Sequence, residues 1–174
     1  DTRAATCRLC NGGRIMKAIQ LQAPASLDNL TYVDLPDAAE PKAGEIRVKL
    51  AASSLNDHEF AVVTGMISAA DGRIPMSDGA GVVEAVGEGV SDFRVGDLVV
   101  SLFFPDWADG ALHRSAAGHV PGDGIDGYAR QAVTVPAHYF TRAPKGYTAA
   151  QAATLTCAGL TAWRALFVDG GVRP

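Results

Sequence analysis

Short alternating apolar segments, separated by turns rich in glycine and proline, constrain the fold of this chain more than any other feature. Glycine supplies 19 of the 174 residues, and tight bends are where a chain uses it. Before Thr148 the pattern offers one short helix and otherwise strands and turns, and helical patterns follow after it. Many short strands followed by helices predict a mainly β domain, a small barrel or sandwich, with helices at its C-terminal end.

The clearest predicted strand runs from Glu45 to Leu55, where apolar side chains at Ile46, Val48 and Leu50 fall on one face. The other predicted strands are Met16 to Leu21, Leu30 to Leu35, Val82 to Val90, Leu98 to Phe103 and Tyr128 to Val135. Helices are expected from Asn56 to Gly65, from Thr148, and from Cys157 to Phe167. The residues from Phe104 to Gly127 are predicted to form a long loop, and such loops inside compact domains are usually functional or mobile.

Composition excludes several classes of function. The formal net charge is -4, and no cluster of lysine and arginine provides the basic surface that nucleic-acid binding needs. No apolar run approaches the roughly 20 residues of a membrane span, and no apolar segment near the start is typical of a secretory signal. We therefore expect a soluble cytoplasmic protein with a small-molecule substrate.

The first fifteen residues show neither strand nor helix periodicity and are interpreted as a disordered extension, 1–15. Cys7 and Cys10 form a C-x-x-C pair there, but Cys157 is the one further cysteine in the sequence, so a second half of a zinc site is missing. Residues 16–147 are predicted to form the β domain and residues 148–174 a helical connector.

Taken alone, the short sequence motifs do not identify a catalytic or cofactor-binding site. Gly79-Ala80-Gly81 is followed by a strand, whereas a dinucleotide fingerprint opens a helix, so these glycines are predicted to serve curvature or close backbone approach. His58-Glu59 lacks the second histidine of an H-E-x-x-H zinc motif, since Val62 stands there. No G-x-S-x-G nucleophile elbow is present.

Several segments, taken in order, resemble one family. They are M-K-A-I-Q-L, A-A-S-S-L-N, S-D-G-A-G-V-V-E-A-V-G-E-G-V with F-R-V-G-D-L-V, Y-A-R-Q-A-V-T-V-P and A-A-T-L-T-C-A-G-L-T-A-W-R-A-L. This order resembles the medium-chain dehydrogenase/reductase superfamily, in its alcohol dehydrogenase and quinone oxidoreductase branches, from Met16 to Pro174. The resemblance implies a GroES-like, partly open β-barrel, mainly β with C-terminal helices.

The same resemblance indicates where the family's zinc ligands would be expected in this sequence. Members that use catalytic zinc place ligands at positions that resemble Asn56, Ser77 and Cys157, and among these side chains the thiol alone suits Zn²⁺. The four close cysteines of the family's structural zinc lobe have no counterpart after Val100. An asparagine at the first position resembles the zinc-independent quinone oxidoreductases, so zinc is not expected.

The resemblance also implies roles for individual residues in hydride transfer between NAD(P)H and a carbonyl, enone or quinone. Asn56 is expected to donate a hydrogen bond to the developing oxyanion and His58 a proton, both as catalytic groups. Thr161 resembles the threonine that lies against the nicotinamide, and Asn56 and Asp57 are expected beside the cofactor. The expected substrate pocket comprises Ser77, Asp78, Phe104, Trp107 and Cys157, with Tyr128 also near the acceptor.

The family's cofactor-binding Rossmann domain, with its Gly-rich phosphate turn, is expected to follow Pro174, so this chain alone is expected to be inactive. The complete protein is expected to be a homodimer. Two alternatives stay open: a zinc-type alcohol dehydrogenase, and a non-catalytic GroES-like binding or assembly module.

Overall fold

Two antiparallel sheets form the body of the molecule, a computed structural model that describes residues 14–110, 114 and 118–173. The smaller sheet pairs β1 (Ile15–Leu21) with β2 (Leu30–Pro36). The larger sheet has the order β6-β3-β4-β5-β7. The extension at 1–13, with Cys7 and Cys10, lies outside the described residues, as does His113.

The strands of the larger sheet follow the predicted alternation closely in their positions but are shorter. They are β3 (Glu45–Ala52), β4 (Ala80–Val86), β5 (Leu98–Ser101), β6 (Ala132–Pro136) and β7 (Phe140–Arg142). Each neighbouring pair is antiparallel. Because β6 and β7 are the two edges and do not pair with each other, the larger sheet does not close. The prediction of a mainly β, partly open GroES-like barrel is confirmed.

A compact apolar core lies on one face of the larger sheet. Ile46 and Val48, the alternating residues of β3, are both fully buried, and Val83, Val99 and Val133 join them from three neighbouring strands. Burial of one side chain of this size is worth about 1.5–3 kcal/mol, so this alternation fixes which face of each strand points inward.

Glycine at position 81 lets two strands approach closely. A Cβ atom added to Gly81 would lie 2.0 Å from the carbonyl oxygen of Lys49 on β3, and one added to Gly79 would lie 2.6 Å from Cγ of Tyr128. The interpretation of this G-x-G segment as a close backbone approach, rather than as a phosphate-binding turn, agrees with these distances.

Helices begin where the sequence places their caps. Helix α1 (Asp57–Val63) follows Asn56, and α2 (Ala149–Ala153) follows Thr148, whose side chain accepts a hydrogen bond from the backbone of Gln151. The helical path then continues through a π-helical turn (Leu155–Gly159), α3 (Leu160–Trp163) and a second π-helical turn (Arg164–Asp169). Two short 3-10 turns, Leu27–Asn29 and Ala137–Tyr139, precede β2 and β7.

Two strands of the larger sheet differ from the prediction: one begins later than predicted, and the other was not predicted. The last predicted strand, Tyr128 to Val135, begins only at Ala132, because Arg130 bonds back to the Tyr128 carbonyl in a turn. Strand β7 was not predicted, because three residues are too short to show alternation. No helix in the described parts of the chain is long and apolar enough to cross a membrane.

Candidate functional site

A buried carboxylate lies where the C-terminal end of β3 meets the start of β4. Asp78 is fully buried. Its Oδ2 accepts a hydrogen bond of 2.9 Å from Nδ2 of Asn56, and its Oδ1 accepts one of 3.0 Å from the hydroxyl of Thr156. Asn56 follows β3 and Asp78 precedes β4, so the antiparallel pairing of these strands brings the two together. Thr156 arrives from the C-terminal helical run.

Glu59 is the second buried carboxylate and is 3 % exposed. It lies in the first turn of α1, and its Oε2 accepts a 2.7 Å hydrogen bond from the backbone N–H of Asn56. Its Oε1 accepts a 2.8 Å bond from the backbone N–H of Ser77 and another bond from the Ser77 hydroxyl. Glu59 therefore ties α1 to the segment before β4. We call Asn56, Glu59, Ser77, Asp78 and Thr156 the Asp78 cluster.

Burial changes the acidity of groups in and beside the Asp78 cluster. Loss of solvation raises the pKa of Asp78 above its ordinary value, although hydrogen bonds from Asn56 and Thr156 act in the opposite direction. Loss of solvation also raises the pKa of Cys157 to about 11, and the negative charges of Asp78 and Glu59 add to that effect. Cys157 is therefore a neutral thiol at physiological pH.

An open cavity of about 720 Å³ lies beside the Asp78 cluster, between the segment after β5 and the C-terminal helical run. We call it the aromatic cavity. Phe104 packs edge-on against Phe103 at 4.8 Å and against Trp107 at 6.1 Å, measured between ring centroids. The wall on the side of the C-terminal helical run includes Thr156, Cys157, Leu160, Thr161, Trp163 and Arg164. Such apolar walls with a few polar groups are typical of small-molecule sites.

His58 lies in the first turn of α1 and contacts the wall of the aromatic cavity from behind. Its ring meets Phe103 edge-on at 5.1 Å between centroids. Its Nε2 atom is buried, has no hydrogen-bond partner and lies 3.9 Å from Oδ1 of Asp123. His58 is therefore next to the cavity without lining it.

The predicted site residues separate into two adjoining groups. Asn56, Ser77 and Asp78 belong to the Asp78 cluster, whereas Phe104, Trp107, Cys157 and Thr161 line the aromatic cavity. Thr156 joins the two groups, since it lines the cavity and bonds to Asp78. Asp57 is the exposed first residue of α1.

One residue expected near the acceptor lies elsewhere. Tyr128 is 4 % exposed and packs in the core against Phe140, with ring centroids 5.5 Å apart, so the expectation that it shapes the acceptor side was wrong. Conversely, Glu59 and Thr156 were not predicted as site residues. The spacing Asn56-x-x-Glu59 is that of a capping box and was the available signal for Glu59. Thr156 gave no such signal.

The sequence and the fold of the chain match a known family. Residues 42–145 match the model of the "Alcohol dehydrogenase GroES-like domain" family. The chain belongs to this family. The GroES-like domain supplies the larger sheet, α1 and both buried carboxylates. Its relatives include oxidoreductases of the alcohol dehydrogenase and quinone oxidoreductase types.

Three relatives of this GroES-like chain illustrate the similarity. A zinc-type alcohol dehydrogenase-like protein of Schizosaccharomyces pombe is 38% identical over 136 residues, which are 77% of this chain and 39% of that protein. A chloroplast envelope quinone oxidoreductase homolog of Arabidopsis thaliana is 33% identical over 168 residues, 92% of this chain and 45% of that protein. The crystal structure of a candidate alcohol dehydrogenase from Sinorhizobium meliloti 1021 superimposes with a TM-score of 0.82 at 39% identity, covering 92% of this chain and 48% of that one.

The chain thus spans less than half the length of these relatives. The sequence resemblance led us to expect the positions of catalytic zinc ligands at Asn56, Ser77 and Cys157. Here the Asn56 amide donates to Asp78, the Ser77 hydroxyl contacts Glu59, and the Cys157 thiol has a pKa of about 11. An amide, a hydroxyl and a protonated thiol are a poor donor set for Zn²⁺, which prefers thiolate, imidazole and carboxylate.

Proposed function

We propose that this chain is the substrate-side domain of a zinc-independent, NAD(P)H-dependent oxidoreductase that transfers hydride to or from a carbonyl, enone or quinone. The observation that carries the proposal is the Asp78 cluster, in which Asn56 and Ser77 occupy positions that resemble zinc ligands while both bond to buried carboxylates. The alcohol dehydrogenase and quinone oxidoreductase relatives support the reaction class.

The aromatic cavity suits one end of the cofactor. A nicotinamide is a flat ring with a carboxamide, and the cavity offers aromatic and aliphatic walls together with the hydroxyl of Thr161. That hydroxyl donates to the carbonyl oxygen of Cys157 at 2.6 Å, so its lone pairs are left to accept from the carboxamide. When bound, the dihydronicotinamide supplies a hydride. Asn56, Asp57 and Thr161 are the residues that we propose lie beside it.

Without a metal, the charge that develops on the acceptor oxygen must be met by hydrogen-bond donors. The Asn56 amide has two N–H groups, one of which is committed to Asp78. We propose that the other donates to the acceptor oxygen, with Asp78 fixing the orientation of the amide. Because His58 lies next to the cavity without lining it, we propose that it supplies the proton that completes the reduction through one bridging water. Phe104, Trp107 and Cys157 form the wall against which an apolar acceptor packs.

The test uses the complete protein that carries this chain. It is treated with a chelator, analysed for metal, and assayed by the loss of dihydronicotinamide absorbance with panels of carbonyls, enones and quinones. We expect turnover to survive chelation. Asn56→Ala should lower kcat/KM by about 10²-fold or more, the cost of losing one oxyanion donor.

Gln22→Ala is the matched control, because it removes a side-chain amide directly after β1, outside the lining of the cavity. It should leave kcat/KM unchanged. Turnover that disappears on chelation and returns with zinc would identify a zinc-type alcohol dehydrogenase instead. Cofactor binding without turnover on any acceptor would favour the non-catalytic module, and unchanged turnover in Asn56→Ala would remove that residue from the mechanism.

A further inference from the structure

The imidazole of His58, which packs against the cavity-lining Phe103, has a ring nitrogen without a hydrogen bond to the described residues. Nε2 of His58 is buried and makes no hydrogen bond, whereas buried polar atoms in proteins are nearly always partnered. The nearest acidic atom is Oδ1 of Asp123, 3.9 Å away, and the two side chains are only 16% and 19% exposed. A polar pair this shielded from water interacts more strongly than a surface pair.

Backbone hydrogen bonds of the turn around Asp123 hold its carboxylate near His58. Oδ1 of Asp123 accepts a 2.6 Å hydrogen bond from the N–H of Gly124, and the N–H of Gly122 donates to the carbonyl of Ile125 at 2.8 Å. Gly122 has φ +98, and a Cβ added there would lie 3.0 Å from the backbone nitrogen of Met76. The turn is therefore pressed against the segment that leads into Ser77, which fixes Asp123 relative to the Asp78 cluster.

The other groups around His58 are acidic or apolar. The charge of His58 acts on Asp78, so these two are electrostatic neighbours, and Glu59 is the next residue in α1. Phe103 covers one side of the ring. Nε2 is the ring nitrogen that lies 3.9 Å from Asp123, and Nδ1 is on the other side of the ring.

We propose that Asp123 is the positioning residue for His58: it holds the Nε2–H of the imidazole and thereby makes Nδ1 the atom that exchanges a proton with the substrate. This inference rests on the proposed function. In the reductive direction the hydride leaves the dihydronicotinamide for the acceptor carbon, and the cofactor is oxidised. The Nδ1–H bond breaks, its proton passes through the bridging water to the reduced acceptor, and the neutral imidazole takes up a proton from solvent.

The 3.9 Å separation is compatible with this role, because catalytic hydrogen bonds are often long before substrate binds and shorten in the complex. A carboxylate that fixes the tautomer and orientation of a catalytic histidine is a general device of acid–base enzymes.

The first measurement reads the tautomer directly. ¹⁵N spectra of the imidazole rings of the complete protein are recorded for wild type and Asp123→Asn, and His58→Gln identifies the His58 signals. We expect neutral His58 to carry its proton on Nε2 in wild type. In Asp123→Asn this preference should be lost, because an amide can either accept from or donate to Nε2.

The second measurement is kinetic. Asp123→Asn should lower kcat about tenfold with KM little changed, since the acceptor binds in the aromatic cavity and not against Asp123. Asp123→Glu, which retains the carboxylate, should recover part of the loss. Asp126→Asn is the matched control in the same turn, because Asp126 pairs with Arg73 at 3.0 Å and not with His58; it should leave the tautomer and kcat unchanged.

The outcomes separate the two proposals. An unchanged tautomer in Asp123→Asn overturns the positioning role, whatever the kinetics show. A changed tautomer with unaltered kcat also overturns it, because the contact would then be structural. If wild type has the expected tautomer but turns over no acceptor, the proposed function fails, and the proton-transfer role of this pair fails with it.

Discussion

Two effects raise the pKa of the Cys157 thiol: burial, and the nearby carboxylates of Asp78 and Glu59. A pKa of about 11, against an ordinary value of 9.0, reduces the thiolate fraction near neutral pH by roughly a hundredfold. The Cys157 thiol, the side chain most suited to Zn²⁺ among the three expected positions, is thus protonated near neutral pH.

Iodoacetamide alkylation tests this environment. With Cys7 and Cys10 replaced by serine, Cys157 should react slowly, and its rate should still rise between about pH 8 and about pH 10, because thiolate is the reacting form. Asp78→Asn in the same background removes one negative charge and should increase the rate several-fold at about pH 8. A rate that levels off below about pH 9 would contradict the raised pKa.

Glu59 is predicted to stabilise the fold through its three acceptor contacts with Asn56 and Ser77. Glu59→Gln places an amide N–H opposite a buried N–H donor, which should lower the free energy of unfolding by about 1–3 kcal/mol. Denaturant unfolding measures this. Glu88→Gln, a change of the same kind at an exposed position, should alter the stability by less than about 0.5 kcal/mol.

The sequence indicated some of these residues and concealed others. Asn56 and Asp78 could be identified because they stand at the ends of strands with clear alternation and belong to a recognisable run. The acidic partner of His58 could not, because Asp123 is far from His58 in sequence and is brought close by a turn that only the packed structure defines. Burial and loop placement are tertiary properties, and a local pattern does not encode them.

At the level of elements, two glycines differ in whether the packing around them leaves room for a side chain. Gly81 on β4 touches the backbone of β3, whereas Gly159 has ordinary helical angles and no atom closer than 3.4 Å to an added Cβ. Gly81→Ala should therefore force β3 and β4 apart and cost about 3 kcal/mol or more. Gly159→Ala should stabilise the helical run by about 0.5–1 kcal/mol.

Thermal unfolding of the two variants compares the same chemical change in both places. Equal effects would show that the β3–β4 approach does not depend on glycine. Element prediction succeeded for β3 because three alternating apolar residues leave little choice of face. It failed for β7, where Phe140 alone is buried and the pairing with β5 determines the strand.

At the level of the whole molecule, the C-terminal helical run presents an apolar face to solvent. Leu160, Trp163 and Leu166 are each more than half exposed, and Val168 and Val172 extend the face. Contiguous exposed apolar surface of this kind usually marks an interaction surface. We expect the 174-residue chain alone to self-associate as its concentration rises and to bind hydrophobic dyes.

The double variant Leu160→Lys/Leu166→Lys should reduce both dye binding and association of the chain without lowering its melting temperature. Val95→Lys changes a residue that is 64% exposed and distant in sequence from this run, and should have no effect on either. Sedimentation velocity and dye fluorescence provide the measurements. A melting temperature lower by several degrees in the double variant would show instead that these side chains pack against the chain itself.

The strand-end position of the Asp78 cluster has a consequence for the order in which the site assembles. Asn56 and Asp78 are 22 residues apart, whereas Thr156 reaches Asp78 across 78 residues. Closing the longer loop costs about 1 kcal/mol more chain entropy than closing the shorter one. We expect the pairing of β3 with β4 to bring amide and carboxylate together early in folding, and the C-terminal helical run to dock later. The hydrogen-bonded pair would then form before the aromatic cavity beside it.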